Sequence, residues 1–208
     1  MRTKFFTLTI FILYHGISLA ENVPSSQMSH TTTAEQAAAM VREHAQSKKN
    51  YLRVNWLTSI DRDVARELAK HVRNINNDHL TLDGLTSIDK AVARELSRFQ
   101  GYELSLDGLT SIDKETAQEL AKFSGGGGLM FGRLIVDKDV THELAKLKGD
   151  LSLRIPNRKD IAEEIANFEG RRLTLVHLAP LDHEVLKILK SIPGVRILGA
   201  PPEAGGAK

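Results

Sequence analysis

A repeated unit of 22 to 28 residues constrains this chain more than any other feature of its sequence. The clearest copy spans residues 104–123. Leu104 and Leu106 alternate as in a short strand, Gly108 interrupts the alternation, and residues 113–123 carry apolar side chains at helical spacing. A strand–turn–helix unit cannot bury its apolar face alone, so the sequence predicts copies that stack on one another.

Three positions in the unit recur along the chain. The predicted strands begin at spacings of 28, 24, 25, 22, 22 and 22 residues, at Leu52, Leu80, Leu104, Leu129, Leu151, Leu173 and Val195. Successive helices repeat a Glu-Leu-Ala-like segment, and an apolar residue followed two positions later by glycine marks each return, as at Phe99 and Gly101. We expect this glycine to leave the helix in a left-handed conformation.

Near-identical Leu-Thr-Ser-Ile-Asp blocks occur at 57–61, 85–89 and 109–113. With them the chain resembles the leucine-rich repeat family, notably exported bacterial members, over residues 51–198. The resemblance implies an α/β fold: a right-handed solenoid with a parallel β-sheet on one face and helices on the other. It also implies recognition of a ligand rather than chemistry. The family has Asn where this chain has Leu57, Leu85 and Leu109, so an apolar ladder is expected there.

Four segments flank the array. Residues 1–20 have the basic, apolar and small-residue order of a signal peptide cleaved after Ala20, which predicts a secreted or periplasmic protein without stable membrane insertion. Residues 21–32 are expected to form a flexible leader, and residues 199–208 a disordered tail. Residues 33–50 are predicted to form an N-terminal capping helix, because Thr33 and Gln36 fit a capping box.

The charge balance and the missing cysteines exclude several classes of function. The chain has 28 Lys and Arg against 26 Asp and Glu, and residues 1–20 hold two of the basic residues and none of the acidic ones. The predicted mature chain is therefore neutral and offers no general attraction to nucleic acid or anionic lipid. Without cysteine there are no disulfides, thiol nucleophiles or thiolate metal sites.

The sequence lacks the motifs of catalysis and cofactor binding. The glycine run at 125–128 does not have the spacing of a dinucleotide or P-loop motif, so we interpret it as a lengthened turn. His177, His183 and Glu184 do not have the spacing of helical metal ligands, and no Gly-x-Ser-x-Gly elbow positions a nucleophile. We expect a protein that is not an enzyme and uses no cofactor.

Two sets of aspartates recur with the repeat. Asp61, Asp89 and Asp113 precede the predicted helices, where a carboxylate caps free backbone N–H groups. Asp83 and Asp107 follow adjacent strands, and a parallel sheet would set them roughly 5 Å apart. Two interpretations of this pair stay open: weak candidates for a shared cation, or turn carboxylates that bond local N–H groups.

Outward-facing strand positions give the candidate partner-binding surface. The first outer column is mainly hydroxyl-bearing: Arg53, Thr81, Ser105, Met130, Ser152, Thr174 and Arg196. The second outer column varies more in charge and size and is the better contact candidate: Asn55, Asp83, Asp107, Gly132, Arg154 and Val176. The helix exteriors mix Arg and Lys with Glu, and we expect a solvated surface there.

These features favour a non-catalytic recognition module. We expect it to bind a protein or cell-envelope polymer through the exposed sheet face, as a monomer. The alternative is a structural or assembly protein that self-associates through the uncovered C-terminal end of the solenoid. Aromatic residues number only seven Phe, three Tyr and one Trp, so stacking on sugars has little support.

Overall fold

The computed structural model describes residues 32–47, 49–71, 78–177 and 179–199. Within these ranges helices and strands alternate along the chain, beginning with a helix. The strands are β1 (Tyr51–Arg53), β2 (His79–Thr81), β3 (Glu103–Ser105), β4 (Gly128–Met130), β5 (Asp150–Arg154), β6 (Arg172–His177) and β7 (Arg196–Gly199). The helices are α1 (Ala34–Gln46), α2 (Arg62–Ala69), α3 (Lys90–Leu96), α4 (Lys114–Leu120), α5 (Lys138–Leu144), α6 (Lys159–Ile165) and α7 (His183–Lys190).

Three predicted segments fall wholly or largely outside the described residues. These are the signal peptide at 1–20, the leader at 21–32 except for its last residue, and the tail at 199–208 except for its first.

The strands form a single parallel sheet whose order follows the chain from β1 to β7. The predicted strand starts are register partners of one another across β1 to β6: Leu52, Leu80, Leu104, Leu129, Leu151 and Leu173. Because a slip of one residue would turn these leucines to the opposite face, the buried leucines fix the register. The predicted α/β architecture of stacked strand–helix repeats is confirmed.

The core is one continuous layer between strands and helices, mainly of aliphatic side chains with Phe99, Phe123 and Phe131 among them. Leu106, which follows β3, and Leu120, from α4, are both fully buried. The helices pack one after another, from α1 against α2 through to α7. The three turn leucines predicted to form an apolar ladder are fully buried, which confirms that prediction: Leu57, Leu85 and Leu109.

The recurring glycine serves close packing at Gly101 and Gly125, and it makes the predicted left-handed exit from the helix at Gly194. Among the described glycines only Gly194 has a positive φ, of 68°. A Cβ atom on Gly101 would lie 2.1 Å from Cζ of Phe99, and one on Gly125 would lie 2.4 Å from Cζ of Phe123. The predicted left-handed exit is therefore wrong at Gly101 and Gly125, because the preceding phenylalanine ring covers the glycine and leaves no room for a side chain.

The predicted helix caps are confirmed. The side chains of Asp61, Asp89 and Asp113 accept from backbone N–H groups three residues later, at 2.8, 2.8 and 2.7 Å. The capping box also forms, since Thr33 accepts from the Gln36 N–H at 3.3 Å and the Gln36 side chain accepts from the Thr33 N–H at 2.8 Å. The helix begins where predicted but ends at Gln46, short of residue 50.

Candidate functional site

The helical face carries a ladder of ion pairs in which the glutamate is buried and its basic partners are half-exposed. The Glu95 side chain is 0% exposed, and it contacts Arg62 at 2.9 Å from the preceding helix and Arg98 at 2.7 Å from the next turn of chain. Glu119 is 4% exposed and contacts Arg94 of the preceding helix at 3.1 Å. The expectation of a freely solvated mixed-charge surface is wrong here, because the recurring glutamate lies in the groove between neighbouring helices.

These ion pairs keep the glutamates charged. The hydrogen bond from Arg94, together with that from Lys122, lowers the pKa of Glu119 to about 2. The hydrogen bond from His142, and the nearby Lys138, also lower the pKa of Glu164. Because each of these glutamates is matched by cations of its own or the preceding repeat, their charges hold neighbouring repeats together.

The opposite face of the sheet presents three outward columns. The strand register aligns the first outer column as predicted, from Arg53 in β1 to Arg196 in β7. A further column, two residues earlier in each strand, was missed by the sequence reasoning. We call it the leading column: Tyr51, His79, Glu103, Gly128, Asp150 and Arg172. Extending the period-two alternation by one step would have found it.

Side chains of the second outer column link neighbouring repeats. The Asn55 side-chain oxygen accepts from the Asp83 N–H at 3.2 Å, and an Asp83 carboxylate oxygen accepts from the Asp107 N–H at 3.2 Å. Asp107 in turn accepts from the Gly132 N–H. The aspartates thus bond N–H groups, as one of the two open interpretations holds, but those N–H groups belong to the next repeat and are not local.

Asp107 is the carboxyl group of this column whose charged form is disfavoured by its surroundings. Burial raises its pKa, and the neighbouring Asp83 and Glu103 carboxylates raise it further. The Ser105 hydroxyl donates to Asp83 at 2.5 Å and is only 7% exposed, so this part of the first outer column is not a freely solvated ladder. Across the described ranges, no group of three or more histidine and carboxylate side chains is placed to hold a metal ion.

The five candidate residues fall into two groups. Asn55, Asp83 and Asp107 lie beside β1 to β3, whereas Arg154 and Val176 are register partners in β5 and β6. Gly132, beyond the end of β4, separates the groups. The structure therefore does not assemble the second outer column into a single site.

The C-terminal pair, Arg154 and Val176, lies beside arginines that a single carboxylate matches only in part. The Nε atom of Arg154 is shielded from solvent and has no hydrogen-bond partner among the described residues. Arg171 and Arg172 both contact Asp150, at 3.5 and 3.6 Å. The side chain of Arg171 also donates to the carbonyls of residues 126 and 127, which ties the lengthened glycine turn to β6.

None of the helices in the described ranges is both long and apolar enough to cross a membrane. Compared with models of protein families and with curated proteins, the chain matches none.

Proposed function

We propose that this protein is a non-catalytic recognition module that binds a protein or a cell-envelope polymer through its sheet face. One observation carries the proposal: the buried glutamates of the helical face are paired with arginine and lysine within and between repeats, whereas Arg154 and Arg196 on the sheet face at β5 to β7 form no ion pair with any described residue. A surface whose polar groups lack internal partners gains most from a ligand that supplies them. The fold itself names no ligand.

A right-handed solenoid of the leucine-rich repeat type is part of this proposal. Parallel strands joined through a helix adopt the right-handed crossover in about 98% of cases, which supports that hand. Two observations support the role of α1 as an N-terminal cap. Ala37 of this helix is fully buried, and the His44 Nε2 atom lies 2.5 Å from the carbonyl oxygen of Tyr51 in β1. Asn50 and Val54 bond to β2, so the Tyr51 carbonyl lies on the other edge of β1.

Export to the periplasm or cell exterior is the proposed setting. Its support is the order of basic, apolar and small residues in positions 1–20. N-terminal sequencing of the protein from its native host should begin at or near Glu21. An intact Met1 on the purified protein would remove the localisation from the proposal.

Steric blocking of the sheet face tests the recognition function. Ser152 lies in the first outer column of β5, with its side chain outward, and Gln118 is exposed on α4. A partner retained from the host envelope by the wild-type chain should be identified, purified and titrated against Ser152→Tyr and Gln118→Tyr. We expect Ser152→Tyr to weaken binding at least tenfold and Gln118→Tyr to leave it unchanged. The reverse pattern would move the site to the helices and end the proposal.

Self-association is the second candidate function, and the last described strand favours it. Leu198 in β7 is 44% exposed, and no element among the described residues pairs with the outer edge of this strand. An unpaired strand edge with an exposed leucine can pair with another chain. Sedimentation over a wide concentration range should then show oligomers that Leu198→Lys removes, whereas a constant monomer mass would exclude this function.

A further inference from the structure

The outward side chains of β5, β6 and β7 form a patch in which donors greatly outnumber acceptors. Three arginines point outward there, and only Asp150 opposes them: Arg154, Arg172 and Arg196. Neither Arg154 nor Arg196 forms an ion pair with any described residue, and Arg172 shares Asp150 with Arg171. We call these three arginines, with Ser152 and Thr174, the arginine patch.

The hydroxyls of the patch are also uncommitted. Ser152, Thr174 and Arg196 are register partners across the three strands. The side-chain hydroxyls of Ser152 and Thr174 form no hydrogen bond to any described residue, in contrast to Ser105, which donates to Asp83. The guanidinium and hydroxyl groups of the patch can therefore donate to anionic groups of a ligand.

The spacing of the arginines fits more than one anionic group. Strands lie about 4.8 Å apart and rise about 3.3 Å per residue, so Cα atoms of Arg172 and Arg196 are about 8 Å apart. The same reckoning places Arg154 about 12 Å from Arg196. The side chains of Arg172 and Arg196 can reach a common anionic group across about 8 Å. Arg154, about 12 Å from Arg196, is placed to bind a second anionic group of the same ligand.

Apolar neighbours indicate what carries those anions. Val176 lies beside Arg154 and pairs in register with Leu198, which is 44% exposed. Aliphatic side chains offer a contact to the aliphatic groups of a peptide, whereas sugar recognition relies on aromatic faces, and β5 to β7 contain no aromatic residue other than His177. A protein segment that combines carboxylates with aliphatic side chains matches both halves of this surface.

We infer that the arginine patch is the subsite that binds an acidic segment of a partner protein, with carboxylates on Arg154, Arg172 and Arg196 and an aliphatic side chain on Val176 and Leu198. This inference rests on the proposed sheet-face recognition and makes it specific. Bidentate arginine–carboxylate pairs give orientation as well as attraction, and the attraction weakens as salt rises.

The test uses labelled nine-residue peptides and the full chain. One peptide carries three Asp and two Leu, a second has Asn for each Asp, and a third has Ser for each Leu. We expect the first to bind at least tenfold more tightly than the second, measurably more tightly than the third, and more weakly as salt rises. Equal binding of the Asp and Asn peptides, or no binding of any peptide at millimolar concentration, overturns the inference.

Matched arginine variants locate the subsite. The double variant Arg154→Gln/Arg196→Gln should lose at least tenfold in affinity for the Asp–Leu peptide. Arg53→Gln is the control, because Arg53 lies in the same column as Arg196 at the other end of the sheet, and it should change affinity less than about twofold. Equal losses from the control and the double variant would show unspecific charge attraction and overturn the assignment.

The outcomes also separate this inference from the proposed function. Stronger competition by a soluble polyuronate than by the peptide would assign the patch to an anionic polymer and overturn the choice of a protein segment. If the peptide fails to bind but Ser152→Tyr still abolishes capture of the host partner, sheet-face recognition stands and the subsite falls. If the peptide does not bind and Ser152→Tyr does not affect capture of the host partner, both the subsite and sheet-face recognition are overturned.

Discussion

Replacing Glu119 by Gln tests whether the ion pairs between helices stabilise the array. The pKa of Glu119 falls from 4.5 to about 2, chiefly through the hydrogen bond from Arg94. Each pKa unit corresponds to about 1.4 kcal/mol, which sets a ceiling of about 3 kcal/mol for this carboxylate. Arg94 and Lys122 are 51% and 59% exposed. Solvent screening therefore reduces our expectation to about 1–2 kcal/mol.

The pH dependence gives this prediction its sign. A carboxyl group whose pKa is lowered by folding stabilises the folded state above the unfolded pKa of 4.5, and that contribution is lost as the pH falls toward about 2. At about pH 2.5 roughly a quarter of the contribution should remain. The free-energy difference between wild type and Glu119→Gln should therefore be largest at pH 7 and shrink steadily under acid.

Urea unfolding at several pH values, followed by circular dichroism, measures that difference. Glu115→Gln is the matched control, because Glu115 is exposed on the same helix and forms no ion pair with the described residues. The control should change stability by less than about 0.5 kcal/mol. A Glu119→Gln effect that stays constant from pH 7 to 2.5, or that equals the control, would refute the ion-pair reasoning.

Three further predictions concern the repeat itself and are checked by thermal or urea unfolding. Leu106→Ala should cost about 2–5 kcal/mol because its side chain is fully buried, whereas Ser105→Ala should cost about 1 kcal/mol through the lost bond to Asp83; equal costs would contradict the assigned faces. Asp107→Asn should raise the melting temperature at pH 7, because its pKa is raised by burial and neighbouring carboxylates, and this gain should disappear when acid protonates Asp107. Gly101→Ala should destabilise by several kcal/mol, since its Cβ would overlap the Phe99 ring, and an unchanged melting temperature would contradict that packing.

The strands, their register and the helix caps could be predicted because each depends on a local pattern. Leucine alternation fixes which face of a strand is buried, and Asp61, Asp89 and Asp113 precede the helices at the position a cap requires. The recurring glycine was predicted in place, but the left-handed conformation predicted for it occurs only at Gly194 among the described residues. At Gly101 a glycine is needed because the Phe99 ring folds back over it, which no local propensity records.

The charged residues were predicted least well, because pairing between repeats joins positions 21 to 33 residues apart in the chain. Glu95 meets Arg62 across 33 residues, and Arg94 meets Glu119 across 25. Arg66–Glu67 and Arg94–Glu95 look alike in sequence to charges on any exposed helix. Only the packing of neighbouring helices decides that Glu95 is buried while its arginine partners stay half-exposed.

The two halves of the second outer column differ because their strands differ in length. In β2 and β3 the strands end before this column, so the exposed N–H groups of Asp83 and Asp107 need side-chain acceptors from the preceding repeat. In β5 and β6 the strands continue through the column, and Arg154 and Val176 are paired by backbone register.

Because β5 and β6 are longer, the side chains of Arg154 and Val176 are not needed as acceptors for backbone N–H groups of the next repeat. Replacing Asp83 or Asp107 removes a link between repeats as well as a surface charge, so a loss of binding in such variants cannot be assigned to contact alone. Replacing Arg154 removes no bond to any described residue, so a loss of binding there reports on the partner.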